Sequence, residues 1–382
     1  SMLLDDLDEG AANPWGIAVS SHQLFISIAG TRELMVINRD GMRAKIDGIA
    51  SGKQIEKGFL ETTQDIANDL TFLTPFKTRI DLGQDGPRGL TLLGNKIYVA
   101  NYYSGSISVY NLSTKKMETI ILETTAEVTP QRQGEKLWND ATIGFQKWQS
   151  CASCHPDARA DALNWDNLND GIGTPKQART MLDSWTRGRV MATGIRPNAK
   201  VAVRAGLKFI MFNAGFPEKE FEKIDAYVES LIPEVSPQLK NGQLTESASR
   251  GKALFEGEAG CAACHIGETK GQDKLVYANY TQGAETRGLL IPPLREVWRT
   301  APYLHDGSAA TIEDVLTTRN VSGTHGKVKA LSGEQVTDIS NYVLTIGTSS
   351  VKVGYTITGN VTTSLEDVSM EGIEVSLYAA DD

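Results

Sequence analysis

Cys151-Ala152-Ser153-Cys154-His155 and Cys261-Ala262-Ala263-Cys264-His265 are two copies of one five-residue pattern, and together they use all four cysteines of the 382-residue chain. Two thiols at this spacing can add across the two vinyl groups of a haem as thioethers, and the histidine that follows is then placed to bind the iron from the proximal side. Other uses of a Cys-x-x-Cys pair fit less well. Zinc ribbons bring their pairs together over about 15 to 20 residues, whereas the pairs starting at Cys151 and Cys261 are separated by a whole domain's length of chain. A thioredoxin-like pair needs a βαβ setting, and the flanking sequence has none. The reading is two covalently bound c-type haems, attached at Cys151, Cys154, Cys261 and Cys264, with His155 and His265 as proximal iron ligands.

Outward from these motifs the chain repeats itself. Gly134-Glu-Lys-Leu-Trp138 and Gly251-Lys-Ala-Leu-Phe255 each open a helix ahead of a motif. Trp185 to Gly194 matches Trp298 to Gly307, and Ile224-Asp-Ala-Tyr-Val228 matches Ile339-Ser-Asn-Tyr-Val343. The last pair has apolar residues at helical spacing, as expected for a closing helix packed on a core. Two all-α cytochrome c domains are therefore expected, over residues 128–240 and 241–349.

Residues 1–127 read as β-structure. The stretch from Asn13 to Asn38 aligns without gaps on that from Gly86 to Asn111, each with three short alternating strands and a Pro-x-Gly start. KIYVANYYSGSISVYNLSTKK resembles the YVTN-type β-propeller repeat. The offset from Asn13 to Gly86 exceeds a blade of about 40 to 45 residues, so Gly52 to Phe76 is expected to be a largely helical insertion. Closure takes about four to eight blades, so a partial propeller belonging to a longer chain, with missing blades or further domains, is the expectation. Residues 350–382 read as a short β segment that starts a sandwich-like domain. The fold class is thus multidomain: partial all-β propeller-like region, two all-α cytochrome c domains, short β tail.

With 40% hydrophobic and 22% charged residues, the composition is that of a globular chain. No run of about 18 apolar residues exists to span a bilayer. A formal charge of −9 disfavours nucleic-acid binding and suits docking of a basic redox partner. Covalent haem attachment takes place outside the cytoplasm, so a periplasmic or cell-surface location is expected, and with it an export signal ahead of Ser1-Met2; the opening residues Ser1 to Asp6 themselves lack the basic and apolar regions of one.

Besides the two motif histidines there are His22, in a turn between strands, His305 and His325. None lies between His155 and His265, so a side-chain ligand opposite His155 is most naturally a methionine. The internal repeat sets Met211 beside the position equivalent to His325 and Met191 opposite Leu304. Met211, Met191 and an open iron site all remain candidates.

Arg299-Thr-Ala-Pro-Tyr-Leu-His-Asp-Gly-Ser308 resembles a motif of the di-haem cytochrome c peroxidases and their MauG-like relatives. With the two haem motifs, the likeness spans Thr129 to Gly347. It implies His325 as distal ligand of the second haem, a supporting role for His305, and a calcium held near Thr300-Ala301-Pro302 with Asn164 or Asn167 as candidate side-chain ligands. It also implies electron relay by Trp185 or Trp298, and reduction of hydrogen peroxide at one haem with electrons fed through the other. The family's distal acid supplies a proton for O–O cleavage. Here that position falls among Phe209, Ile210, Met211 and Phe212, and the nearest acid is Glu218. The expectation is therefore an extracytoplasmic di-haem electron-transfer cytochrome working with a redox partner protein. The alternatives are a peroxidase or MauG-like oxidase using a small oxidant such as hydrogen peroxide, and a surface binding scaffold with a propeller.

Overall fold

The computed structural model describes residues 2–53, 62–122, 128–166, 175–267, 271–276 and 288–347. Residues 1–349 form one compact unit, separate from 350–382. The β reading of the tail lies outside the described residues, as does Asn167.

Two four-stranded antiparallel sheets open the chain. The first holds β1 (Pro14–Val19), β2 (Gln23–Ile28), β3 (Glu33–Asn38) and, beyond a helix α1 (Arg39–Ala50), β4 (Lys77–Asp81). The second holds β5 (Pro87–Leu93), β6 (Lys96–Asn101), β7 (Ser106–Asn111) and β8 (Met117–Ile121). Both are simple meanders, and both carry an irregularity after their opening proline, between Pro14 and Ile17 and between Pro87 and Leu90. Each repeat thus has four strands where the pattern showed three. The fourth was hidden by the insertion in the first sheet and by the mostly exposed face of β8 in the second.

The insertion differs from expectation in its place. Its helix begins directly after β3, where Asn38 caps it by accepting a hydrogen bond from Gly41 N. Between Gly52 and Phe76 the described residues contain only one helical turn, at Asp65–Asn68. Two-residue alternation explains why the insertion is there. Phe25 and Leu34 point into a core shared with Ile97 and Val99 of the second sheet. Ile28, Met35 and Ile37 point the other way, and Met42 and Ile49 of α1 with Ile66, Phe72 and Leu73 cover them. Both faces of the sheet's central strands, β2 and β3, are thereby buried.

Two helical lobes follow. The first contains α2 (Pro130–Asn139), the short α3 (Cys151–Cys154), a ribbon of β9 (Asn164–Trp165) with β10 (Lys176–Gln177), α4 (Ala199–Phe209) and α5 (Glu218–Glu229). The second contains α6 (Glu246–Glu256), a ribbon of β11 (Leu275–Val276) with β12 (Leu289–Leu290), α7 (Ile312–Leu316) and α8 (Gly333–Val343). In each lobe the first and last helices cross at a glycine. A Cβ on Gly134 would lie 1.9 Å from Lys223 O, and one on Gly251 would lie 1.8 Å from Asp338 O.

The lobes meet through an exchange. Gln177 N of β10 donates to His305 O of the second lobe at 2.8 Å, and Leu290 N of β12 donates to Ala192 O of the first at 2.8 Å. One and the same offset along the chain relates Gln177 to Leu290 and Ala192 to His305. Each lobe's ribbon therefore holds the same loop of its twin. No helix among the described residues is long and apolar enough to cross a membrane.

Candidate haem sites

The first motif sits at the start of α3, where Ser150 and Ser153 form a reciprocal cap. The β region grips that cap: Asn13 Nδ2 donates to Ser150 Oγ at 2.7 Å, and Ser153 Oγ donates to Asn13 Oδ1 at 2.9 Å. His155 packs beside the buried Trp138, whose Nε1 donates to His155 O at 3.1 Å, with ring centroids 6.1 Å apart. His155 Nδ1 lies 3.1 Å from Arg159 O. Met211 is buried beyond α4, its Sδ 3.9 Å from Cys151 Sγ. Phe145 N holds its carbonyl at 2.8 Å.

Met191 lies elsewhere. It is half-buried in the loop closed by the Val190–Arg196 bridge, the loop whose Ala192 bonds β12. Its backbone φ of 73° is matched by 72° at Leu304, so the repeat alignment of these two positions reflects shared loop geometry.

At the second motif the rings of His265 and His325 face each other with centroids 6.3 Å apart, tilted by 42°. A metal–imidazole bond of about 2 Å plus about 1.1 Å from nitrogen to ring centre, taken twice, gives about 6.2 Å. The separation therefore fits one iron between the two imidazoles. Burial, with His265 as a lesser cause, lowers His325 to about 4, which leaves it a neutral imidazole able to coordinate. Its backbone is clamped by the buried Asn320. Asn320 Oδ1 accepts from His325 N at 3.1 Å, and Nδ2 donates to His325 O at 3.0 Å.

The thiol environment also fits the group. All four cysteines are free. Burial pushes Cys151 up to about 12, and Cys154 and Cys261 up to about 11. Such thiols are neutral at pH 7, unlike the low-pKa thiolates of redox or nucleophilic sites. Among the described residues no three His, Cys, Asp or Glu side chains cluster as a separate metal site.

The remaining candidates are placed as follows. His22 is exposed, 2.6 Å from Asp40. His305 is buried where its loop meets β10, and Asn164 Nδ2 donates to Asp306 O at 2.8 Å beside it. Glu218 is engaged by Arg204, which also forks onto Asp225 at 2.8 Å. Trp185 lines the first lobe's core. Arg159, Asn320 and Asn13 were not legible in the sequence: Arg159 serves His155 through its main chain, Asn320 lies in an irregular loop ahead of His325, and Asn13 reaches the first motif only through the tertiary fold.

A family model described as RoxA-like, cytochrome c-like, matches residues 288–322. Hydrazine synthase subunit gamma of Kuenenia stuttgartiensis is 24% identical over 273 residues, covering 56% of this chain and 76% of that protein. A cytochrome-c peroxidase of Denitromonas iodatirespirans is 22% identical over 237 residues, covering 47% and 61%. The methylamine utilization protein MauG of Methylorubrum extorquens is 37% identical over 83 residues, 18% of this chain and 24% of that protein. The matches support a c-type cytochrome related to peroxidases. Among solved structures, a Kuenenia stuttgartiensis hydrazine synthase chain aligns at 21% identity and TM-score 0.49, covering 58% of this chain and 89% of that one. A MauG-like protein associated with microbial copper homeostasis aligns at 20% and 0.45, covering 59% and 91%.

Proposed function

We propose that the chain is an extracytoplasmic di-haem cytochrome that transfers electrons, with domains at 1–127, 128–240, 241–349 and 350–382. The observation that carries the proposal is the 6.3 Å separation of the His265 and His325 rings. Cys151 and Cys154 hold the first haem and Cys261 and Cys264 the second. His155 is the proximal ligand of the first, with Met211 opposite; His265 and His325 ligate the second. Bound there, the two irons supply one-electron redox chemistry at potentials set by their axial ligands. The protein's part is to orient imidazoles, exclude water and present the site to a redox partner. The two sheets are read as successive propeller-type blades, and the location as periplasm or cell surface.

A hydrogen-peroxide-reducing reading is favoured by the peroxidase and MauG relatives. Against it stands the pocket. Heterolytic O–O cleavage needs a proton donor near the distal face, yet Phe209 and Phe212 are exposed there and Glu218 is bound to Arg204. Optical spectra of the ferric and ferrous protein, with and without cyanide, separate the two. Two low-spin haems indifferent to cyanide and peroxide are expected. A high-spin ferric band that shifts on either addition overturns the electron-transfer reading in favour of the enzyme.

A further inference from the structure

We propose that Arg159 and Glu296 form a strap through which the second lobe fixes the orientation of the first lobe's proximal imidazole; the inference rests on the haem reading above. His155 Nδ1 is 3.1 Å from Arg159 O. A bond at that nitrogen fixes the ring plane and raises electron donation by the ligating nitrogen. Arg159 is therefore a positioning residue through its main chain.

Its side chain leaves the lobe. Nε donates to Glu296 Oε2 at 2.6 Å and an Nη to Oε1 at 3.1 Å, a forked pair whose side chains are 9% and 1% exposed. The same guanidinium donates to Ile232 O at 3.1 Å. Glu296 is held in turn: Glu234 N donates to its Oε1 at 2.7 Å, and its own N donates to Ile346 O at 2.8 Å, just past α8. A planar fork has essentially one orientation, and breaking one member of a buried pair is costly. The Arg159 carbonyl thus cannot swing without disturbing the second lobe.

The repeat shows what is particular about this pair. Asp183 is related to Glu296 by the same offset that relates Gln177 to Leu290. It has the same left-handed backbone, φ 61° against 58°, and also reaches across the lobes, to Arg295 at 2.9 Å. Both acids tie lobe to lobe. Glu296 ties to Arg159, which carries the Nδ1 acceptor of His155 at 3.1 Å, while the main chain of Arg179 also bonds this ring.

The test uses the haem-loaded protein. Glu296→Gln and Arg159→Lys are compared with wild type by redox titration and by the electron paramagnetic resonance g-values of each haem, with the second haem assigned through His325→Ala. Loosening the bond to Nδ1 weakens the imidazole donor and disfavours ferric iron. Both variants should therefore raise the first haem's midpoint potential and change its g-values, with the second haem unmoved. Charge alone would act only in Glu296→Gln, since Arg159→Lys keeps it. A shift confined to Glu296→Gln, or none in either, overturns the strap. Should a single variant misfold, Arg159→Met/Glu296→Met leaves no lone buried charge and must show the same upward shift. Haem adducts are counted first by mass spectrometry. Absence of porphyrin at Cys151 and Cys154 overturns the haem reading and the strap with it, whereas two adducts and unmoved potentials overturn the strap alone.

Discussion

His325, implied as a ligand by the family resemblance, lies opposite His265 because the loop carrying it folds back onto that ring. Removing its ring in His325→Ala should convert the second haem from low to high spin and open it to cyanide, which optical spectra read directly. Asn320 holds both the N–H and the carbonyl of His325. Each such bond is worth about 1 kcal/mol net, and more when a buried partner is left unsatisfied. Asn320→Ala should therefore give a mixed-spin second haem while leaving the first haem's spectrum as in wild type. Met211→Ala is the matching change at the first site, and a low-spin first haem that survives it would exclude the thioether. The adjacency of His155 and His265 to their cysteine pairs is a pattern legible in the sequence, and the haem attachment proposed for them rests on it. Asn320 and Arg159 were not legible, because each lies in irregular loop backbone close to the histidine it serves, where no repeating pattern marks it, and Arg159 acts through a carbonyl that any residue has.

The helices α2 and α5, and α6 and α8, are closed by contact at a glycine. A Cβ at Gly134 or Gly251 would fall 1.9 or 1.8 Å from a carbonyl oxygen of the partner helix. Helices cannot separate at that point without losing the packing around it, and overpacked cores cost about 1–3 kcal/mol or more. Gly134→Ala and Gly251→Ala should each lower stability by about 3 kcal/mol or more, measured by denaturant unfolding of the holoprotein. Arg250 of α6 bonds Asp338 of α8 at 2.7 Å, and this hydrogen bond holds the Asp338 carboxyl below the usual range. A carboxylate with a lowered folded pKa contributes stability above its unfolded pKa and loses it as pH falls through the folded value. Unfolding followed from pH 6 down to pH 2 should accordingly show a flatter acid limb in Asp338→Asn than in wild type. The amphipathic patterns of α2, α5, α6 and α8 were readable from spacing. The early start of α1 was not, since its cap Asn38 is itself the last residue of β3, with no intervening turn residues.

At the scale of the whole molecule, the contacts that tie the parts together include Asn13 to the first motif's cap, the exchanged ribbons between the lobes, and the Arg159–Glu296 pair. The pair is the one whose cost is easiest to isolate. Removing one member of a buried ion pair costs about 3–5 kcal/mol, while replacing both by apolar side chains of similar size is often neutral. Arg159→Met alone should thus destabilise the unit strongly, and the Arg159→Met/Glu296→Met double should recover most of the loss, as read by thermal unfolding of the loaded protein.

By itself the sequence determined the two Cys-x-x-Cys-His motifs on which the haem proposal rests, the duplication of the half that carries them and the β character of the region ahead of it, because each is written in short-range spacing or in self-similarity. It left open which methionine lies beside the first motif, where the insertion's helix begins, and how the two halves join. Those were decided only in three dimensions. Met211 rather than Met191 reaches the first motif because Met191's loop is taken up by β12, and the insertion lies where the first sheet has a second apolar face to bury. The lobes lock through repeat-equivalent residues far apart in the chain and through a side chain reaching from Arg159 to Glu296, separations over which no local pattern survives.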